Sequence, residues 1–488
     1  MRRRPSSGRP SRTTPTMSAQ PGSSRDGGDF FLWGEGAMKR ERTKSLILAA
    51  AAMAVVPALR GGAADDKDAY WKAALGAARW LDVSALKTPA GLAWPADPRD
   101  PKTTSQTLYS GTPGVVLFYL EARAAAEARG LKDEAAAFVD KAKAGADELL
   151  SKLSGENEVG LYTGLAGVGF VLEEVYKASR EARFRDGIVR ALGEVRARAR
   201  KAGTGIEWGP VTDIIGGTAG TGLFLLYAAG ALSDPSCLDL AAKAGDRLLE
   251  LGTPKNGGLD WAMDPGYPRR MPNFAHGTAG VAHFLARLYE ETGKKDYLRA
   301  ALAGGRYLLS IARTDGQACL IFHHEPEGKD LYYLGWCHGP VGTANLFYEL
   351  SRATGDKAWF EWVLKEAHGL MDSGIPEKET PGFWNNSGVC CGLAGVADFF
   401  RSLFLLTKNA NHVYFGRRVM KVLLDKATAE DGRMNWVQAE HRTRPELLVA
   451  QTGLMQGAAG IGLVLLRWDA FDNGRALSVK MPDTAWTK

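Results

Sequence analysis

The chain has 488 residues, of which 45% are hydrophobic and 24% are charged, so it carries enough apolar material for a large core and is not disordered overall. Its formal net charge of +6 is concentrated in residues 1–64, which hold 11 Lys and Arg against 4 Asp and Glu. The 50 basic and 51 acidic residues that remain leave the body neutral, which argues against a nucleic-acid partner because phosphate binding requires clustered positive charge.

The first 64 residues have the composition of a targeting segment. Residues 1–37 are rich in Arg, Ser, Pro and Gly without a core-forming pattern, so we expect a disordered or mis-assigned extension there. Residues 38–64 place four basic residues before an uncharged apolar run and end in small residues, which is typical of a secretory signal peptide. The apolar run is shorter than the ~20 residues that cross a bilayer as a helix, so no stable membrane span is predicted.

Cleavage of this signal would leave residues 65–488 as an exported chain, either periplasmic or secreted. An uncleaved amphipathic anchor is the alternative for this segment. If the segment has no targeting function, we expect the protein in the cytoplasm.

One short pattern recurs seven times in the rest of the chain: two glycines three residues apart, followed by a mostly apolar helical run. The first glycines stand at positions 111, 164, 217, 277, 339, 392 and 457. Helices that are apolar all round are buried, whereas the amphipathic, charge-laced segments between them suit an outer layer. The sequence therefore predicts an all-α fold, an α/α toroid of seven inner and seven outer helices, with an open superhelix of helix pairs as the alternative.

The residue before each first glycine is expected at the start of an inner helix, where all repeats meet at one end of the barrel. Metal-capable side chains are concentrated in the fourth to sixth of these positions. Five cysteines are an odd number, and adjacent cysteines are too constrained for an ordinary disulfide. The pattern favours metal ligation or free thiols, with small core-filling side chains as the alternative. The seven positions hold Ser110, Thr163, Gly216, His276, His338, Cys391 and Gln456.

Four motifs together resemble those of the lanthionine synthetase C-like family. They are Asn-Phe-Ala-His-Gly-Thr-Ala-Gly at 273–280, Trp-Cys-His-Gly at 336–339, Cys-Cys-Gly-Leu-Ala-Gly at 390–395 and Gly-Leu-Met-Gln-Gly-Ala-Ala-Gly at 453–460. The resemblance covers roughly residues 70–468. It implies a toroid of seven inner and seven outer helices, in agreement with the repeat count.

The same resemblance implies one zinc ion bound by Cys337, Cys390 and Cys391, the last standing where the family usually has a histidine. Three protein ligands leave the fourth tetrahedral position open, as in catalytic zinc sites. His276 and His338 are the rival ligands. The resemblance also implies that His276 and Asp213 act as acid and base beside the zinc, and a helix N-cap is the alternative role for Asp213.

One position departs from the family pattern, because Tyr333 stands where bacterial members tend to carry an arginine. The nearby pairs His323–His324 and Glu325/Glu327 resemble a second metal cluster, but Pro326 and Gly328 favour a loop of solvated polar residues.

The resemblance implies an enzyme that uses zinc to add a thiol to a dehydroamino acid, forming a lanthionine-type thioether in a peptide. The substrate would be a peptide or a small thiol, and the sequence does not indicate the oligomeric state. A non-catalytic protein that binds zinc, a thiol or a peptide is one alternative. A carbohydrate-active α/α barrel is a weaker one, since it needs two carboxylates across the cavity and the candidates Asp264, Glu325 and Glu327 lie outside the repeat register.

Overall fold

The computed structural model describes residues 68–486, so the predicted extension at 1–37 and the predicted signal peptide at 38–64 lie outside the described residues. In the described part of the chain there are 14 α-helices, two one-turn 3-10 helices and 12 strands of two or three residues. The prediction of an all-α toroid is confirmed.

Seven helices form the inner ring, and each begins directly after the first glycine of a repeat. Neighbouring inner helices contact one another in chain order, and the last contacts the first. The ring is therefore closed, which excludes the open superhelix. The inner helices are α2 (Thr112–Ala128), α4 (Leu165–Ser179), α6 (Thr218–Leu232), α8 (Thr278–Thr292), α10 (Pro340–Thr354), α12 (Leu393–Thr407) and α14 (Ala458–Asp472).

Seven amphipathic helices surround this ring, and each of them packs against one inner helix. Their apolar stripes are buried and their charged faces are exposed, as the sequence pattern predicts. No helix among the described residues combines the length and apolar character needed to span a bilayer. The outer helices are α1 (Ala69–Ser84), α3 (Lys132–Lys152), α5 (Ala182–Arg198), α7 (Pro235–Leu251), α9 (Lys295–Ile311), α11 (Lys357–Asp372) and α13 (Ala410–Asp425).

The second glycine of each repeat is required by a close approach of the chain to itself. A Cβ atom at Gly342 would lie 1.9 Å from the carbonyl oxygen of Trp336, and one at Gly395 would lie 2.1 Å from that of Val389. In both cases the blocking carbonyl belongs to the residue six positions earlier. The loop before each inner helix thus folds back onto the helix's first turn, which only glycine permits.

Short antiparallel hairpins connect several outer helices to the next inner helix. In four repeats a tryptophan after the helix donates its indole N–H to a carbonyl 13 residues earlier, as Trp94 does to Leu81 and Trp261 to Leu248. This bond satisfies a helix-terminal carbonyl and fixes the loop that leads to the inner rim. The hairpins pair β1 (Leu86–Lys87) with β2 (Leu92–Ala93), β3 (Arg200–Ala202) with β4 (Gly205–Glu207), β5 (Thr253–Lys255) with β6 (Gly258–Asp260), β7 (Arg313–Asp315) with β8 (Ala318–Leu320), β9 (Thr428–Glu430) with β10 (Arg433–Asn435) and β11 (Val437–Ala439) with β12 (Leu448–Ala450).

The segment after α14 turns back into the centre of the ring. The backbone N–H groups of Ser478 and Val479 both donate to the buried Glu121 of α2, at 2.9 Å. The N–H of Ala485 donates to Asn345 of α10 at 3.1 Å. Because it contacts inner helices on different sides of the ring, this C-terminal segment fills part of the barrel interior.

Candidate metal centre

A closed ring of backbone hydrogen bonds runs around the end of the barrel where the inner helices begin. In each repeat, residues two or three positions before the first glycine bond to the equivalent residues of the neighbouring repeat, at 2.9–3.3 Å. The seven bonds join Tyr109 to Tyr162, Tyr162 to Ile215, Ile214 to Ala275, Ala275 to Cys337, Cys337 to Cys390, Cys390 to Met455, and Met455 to Tyr109.

This ring brings the three cysteines of the fifth and sixth repeats together. The Sγ atom of Cys391 lies 3.3 Å from that of Cys337 and 3.2 Å from that of Cys390, and all three side chains are buried. All five cysteines are free, since a disulfide would require about 2.05 Å. The other two, Cys237 and Cys319, are buried on outer elements.

The three sulfurs fit the donor set of a zinc site. Among the described residues their ligand atoms alone form a group of three or more within 4.8 Å of one another, so neither rival imidazole, His276 or His338, joins the group. Tetrahedral bonds of about 2.3 Å from zinc to sulfur place the sulfurs about 3.8 Å apart. The observed separations require shifts of only a few tenths of an ångström.

The environment of the cluster favours one thiolate. The pKa of Cys390 is lowered well below its usual range, because the thiols of Cys337 and Cys391 and the hydroxyl of Tyr109 donate hydrogen bonds to its sulfur. The pKa values of Cys337 and Cys391 are raised in turn. Three thiols so placed share negative charge, which is the property that attracts a divalent cation.

Two polar side chains, one from the first repeat and one from the seventh, lie next to the three cysteines. The amide Nε2 of Gln456 lies 3.6 Å from Cys391 Sγ and 3.2 Å from the hydroxyl oxygen of Tyr109. Gln456 was recognised in the sequence only as a member of the polar ring, and Tyr109 was not singled out. The signal that could have found Tyr109 is ring closure, which makes the first repeat a neighbour of the seventh.

Asp213 and His276 form a pair on the same rim. Asp213 Oδ2 lies 2.7 Å from His276 Nδ1, while Asp213 Oδ1 accepts the N–H groups of Gly216 and Gly217 at 2.9 and 3.0 Å. The carboxylate therefore orients the imidazole and holds the two residues that precede α6. The alternative role of Asp213 as the helix N-cap is wrong, because Gly217 occupies that position, and its role as acid or base stays a prediction. Burial disfavours the charged imidazole, but the bond and charge of Asp213 outweigh it, so the pKa of His276 is raised.

A stack of rings continues from His276 across the site. The ring centroid of His338 lies 5.4 Å from that of His276 and 4.1 Å from that of His323. The Nδ1 atom of His338 is buried and has no hydrogen-bond partner among residues 68–486. Tyr333 packs against His323 and Trp384, with centroids 4.2 and 5.1 Å apart.

The prediction of solvated polar residues in this loop is wrong for His324, which is only 9% exposed. His323 is half-buried and packs against Tyr333, whereas Glu327 is exposed as predicted. Burial, followed by the positive charges around it, lowers the pKa of His323 to about 3. The neighbouring carboxylates instead form ion pairs, Glu325 with Lys255 and Glu327 with Arg269.

An arginine from another part of the chain reaches Tyr333. Arg442, in the loop between β11 and β12, places its Nε 3.4 Å from the Tyr333 hydroxyl. Among the described residues no carboxylate lies within ion-pair distance of Arg442. A guanidinium is thus present at this corner of the site although the sequence position itself holds tyrosine.

Comparisons with known proteins show the family and agree with the fold. A family model described as lanthionine synthetase C-like protein matches residues 102–480. The solved structure of nisin cyclase superposes with a TM-score of 0.58 at 18% identity, covering 86% of this chain and 96% of that one. Glutathione S-transferase LANCL1 of Danio rerio is 22% identical over 151 residues, which is 30% of this chain and 34% of the relative. The chain thus matches about a third of that relative's length.

Proposed function

The chain belongs to the lanthionine synthetase C-like family, and from this membership we propose that it is a zinc-dependent enzyme that adds a thiol to a dehydroamino acid. The observation that supports this most strongly is the convergence of three buried thiols on the rim that also carries the His276–Asp213 pair. Cys337, Cys390 and Cys391 would bind one zinc ion. When bound, the ion would hold a substrate thiol as a thiolate in its fourth coordination position.

The chain's own residues carry out the proton transfer that accompanies thiol addition. The substrate sulfur adds to the β-carbon of dehydroalanine or dehydrobutyrine, forming the C–S bond while the electron pair of the C=C bond moves to the α-carbon. His276, held by Asp213 at Nδ1, has Nε2 free to deliver a proton to that carbon. The proton released by the thiol replaces the one delivered, so the reaction needs no further reactant.

The ring of side chains around the cluster suits an organic substrate. Trp384, Tyr333 and His338 provide flat faces, and Arg442 supplies positive charge beside them. Negative charge develops on the acceptor as the sulfur adds, and a nearby guanidinium stabilises it. This supports the proposal that Arg442 compensates for the missing arginine.

The substrate is proposed to be a peptide or a small thiol together with a dehydrated residue. The name of nisin cyclase supports a peptide, and the name of the zebrafish relative supports a small thiol such as glutathione. We further propose that the enzyme acts after export, because residues 38–64 have the pattern of a signal peptide. Sequencing the N-terminus of the protein from each cell fraction tests the export.

The activity is tested with the purified, zinc-loaded chain, a synthetic peptide containing one dehydroalanine, and either a cysteine in the same peptide or added glutathione. Mass spectrometry with thiol labelling follows formation of the thioether. The His276→Ala variant is expected to be slower by about 10²- to 10⁴-fold, the usual contribution of a general acid. A wild-type rate equal to the rate without protein would exclude the proposed activity.

A further inference from the structure

The side chains behind the cysteine cluster form a directed chain of hydrogen bonds. Asn386 Nδ2 lies 2.8 Å from Gln456 Oε1, so this oxygen is an acceptor and the amide nitrogen must face the other way. Gln456 Nε2 then donates to Tyr109 and to the sulfur of Cys391. The hydroxyl oxygen of Tyr109 accepts from the same amide and helps to fix its orientation toward the sulfur. Cys391, one of the three proposed ligands, therefore receives a hydrogen bond from a neutral donor.

Backbone contacts hold these donors in place. Met455, next to Gln456, donates its N–H to the carbonyl of Tyr109 at 2.9 Å, and Cys390 donates to Met455 at 2.9 Å. The backbone carbonyl of Gln456 accepts from the buried Gln438 side chain. Tyr109 and Gln456 are thus fixed by the closure of the helix ring itself, with little freedom to turn away from the sulfurs.

A site with several thiolates faces a problem of selectivity in the proposed reaction. Any of the protein sulfurs can add to the β-carbon of the acceptor, with the electron pair moving to the α-carbon and a proton following. That side reaction would form a stable thioether and remove a ligand from the site. A hydrogen bond to a thiolate draws electron density from its lone pairs and makes it a weaker nucleophile.

We propose that Gln456, oriented by Tyr109 and Asn386, is a positioning residue that directs the acceptor to the substrate sulfur by weakening Cys391 as a nucleophile. This inference rests on the proposed function, and it concerns which sulfur reacts rather than whether a reaction occurs. It assigns a role to the first and seventh repeats, which carry none of the proposed metal ligands.

The test exposes the zinc-loaded full chain to a dehydroalanine peptide that lacks cysteine, with no other thiol present. Tyr109→Phe removes one hydroxyl, and Gln456→Met removes the amide donor at similar length. Tyr119→Phe is the matched control, because its hydroxyl is also buried but bonds to Asp82 at 2.7 Å in the outer layer. Peptide mapping by mass spectrometry counts the adducts on Cys390 and Cys391, and a chromophoric chelator follows zinc release.

Adducts are expected to form about tenfold or more faster in Tyr109→Phe and Gln456→Met than in the wild type, the usual scale for partners of metal ligands. Tyr119→Phe should match the wild type. With cobalt in place of zinc, Gln456→Met should shift the sulfur-to-metal charge-transfer band to longer wavelength, because the lone pairs of the Cys391 sulfur rise in energy when the donor is removed. A purely structural role would not shift this band.

Equal adduct rates in both variants and the wild type would overturn the inference. Loss of zinc from both variants would also overturn it, since that outcome shows a structural role. The proposed function fails separately, if the wild type forms no thioether when a thiol is added. The adduct comparison does not depend on that result.

Discussion

Asp213 Oδ2 and His276 Nδ1 lie 2.7 Å apart and join two consecutive repeats across the rim of the barrel. The other oxygen of Asp213 accepts two backbone N–H groups at the start of α6. The carboxylate is therefore fixed by the fold before it acts on the histidine. The bond leaves one imidazole nitrogen for the substrate.

The pH dependence of the reaction rate should reveal the pKa of His276 and its dependence on Asp213. Burial alone would lower the pKa of His276, and Asp213 raises it above the ordinary value. Since the protonated imidazole is the acid, the rate should be high below this pKa and fall as pH rises through it. Asp213→Asn removes the charge, so the fall should move to lower pH, with a rate at pH 8 at least about tenfold below wild type. The profile of kcat/KM from pH 5.5 to 9 measures this, and an unmoved alkaline limb would refute the assignment.

Arg442 should matter for turnover without mattering for metal binding. Arg442→Gln retains polar atoms but removes the positive charge beside Tyr333, and we expect kcat to fall by about 10- to 100-fold. Arg444→Gln, in the same hairpin loop and exposed, is the control and should have little effect. Zinc content by mass spectrometry should be unchanged in both variants. Equal kcat for the two variants would show that Arg442 has no part in the reaction.

Two glycine substitutions should have opposite effects on stability. Gly342→Ala places a methyl group 1.9 Å from the carbonyl oxygen of Trp336, so the loop carrying Cys337 must move and we expect a large loss of stability. Gly193 lies on the exposed face of α5, where an added Cβ would meet no atom of the described residues within 4 Å beyond its own helix backbone, so we expect Gly193→Ala to gain about 0.5–1 kcal/mol. Thermal denaturation of both variants measures the difference. A Gly342→Ala variant with the wild-type midpoint would contradict the close-approach explanation of the repeat.

The C-terminal segment should make stability depend on pH. Burial raises the pKa of Asp483 to about 6, although Tyr162 donates to its Oδ2 at 2.9 Å. A raised pKa means that the folded state prefers the protonated form, so stability falls as pH rises from about 4 to about 6 and then stays low. Two pKa units correspond to about 3 kcal/mol.

Asp483→Asn removes this dependence. Its stability relative to wild type should increase by about 2–3 kcal/mol between pH 4 and pH 8, because the wild type loses stability over this range. Chemical denaturation at both pH values gives the comparison. A stability difference that is the same at pH 4 and pH 8 would show that the carboxyl group titrates at its ordinary pKa.

The architecture could be predicted from the sequence because each inner helix has its own local signal. The glycine pairs at seven positions mark helix starts, and the apolar runs after them mark burial. The proximity of Cys337 and Cys390 could also be predicted from the sequence, since equivalent positions of consecutive repeats must meet at one rim. The short hairpins were missed, because strands of two or three residues have no periodicity to detect.

The remaining parts of the site depend on contacts between distant segments. Tyr109 reaches Gln456, which contacts Cys391, only because the ring closes. Arg442 reaches Tyr333 across 109 residues from a hairpin loop that lies outside the repeat pattern. His323 lies in an irregular loop whose composition predicted solvent exposure. It is partly buried because Tyr333 and His338 pack against its ring. None of these contacts has a local sequence signal.

The central claim is that Cys337, Cys390 and Cys391 bind one zinc ion, and native mass spectrometry of the metal content tests it most directly. Wild type and Cys237→Ala, which removes a buried cysteine remote from the cluster, should each carry one zinc per chain. Cys337→Ala and Cys391→Ala should carry much less, because two sulfurs do not hold the ion as three do. Equal zinc content in all four proteins would contradict the claim.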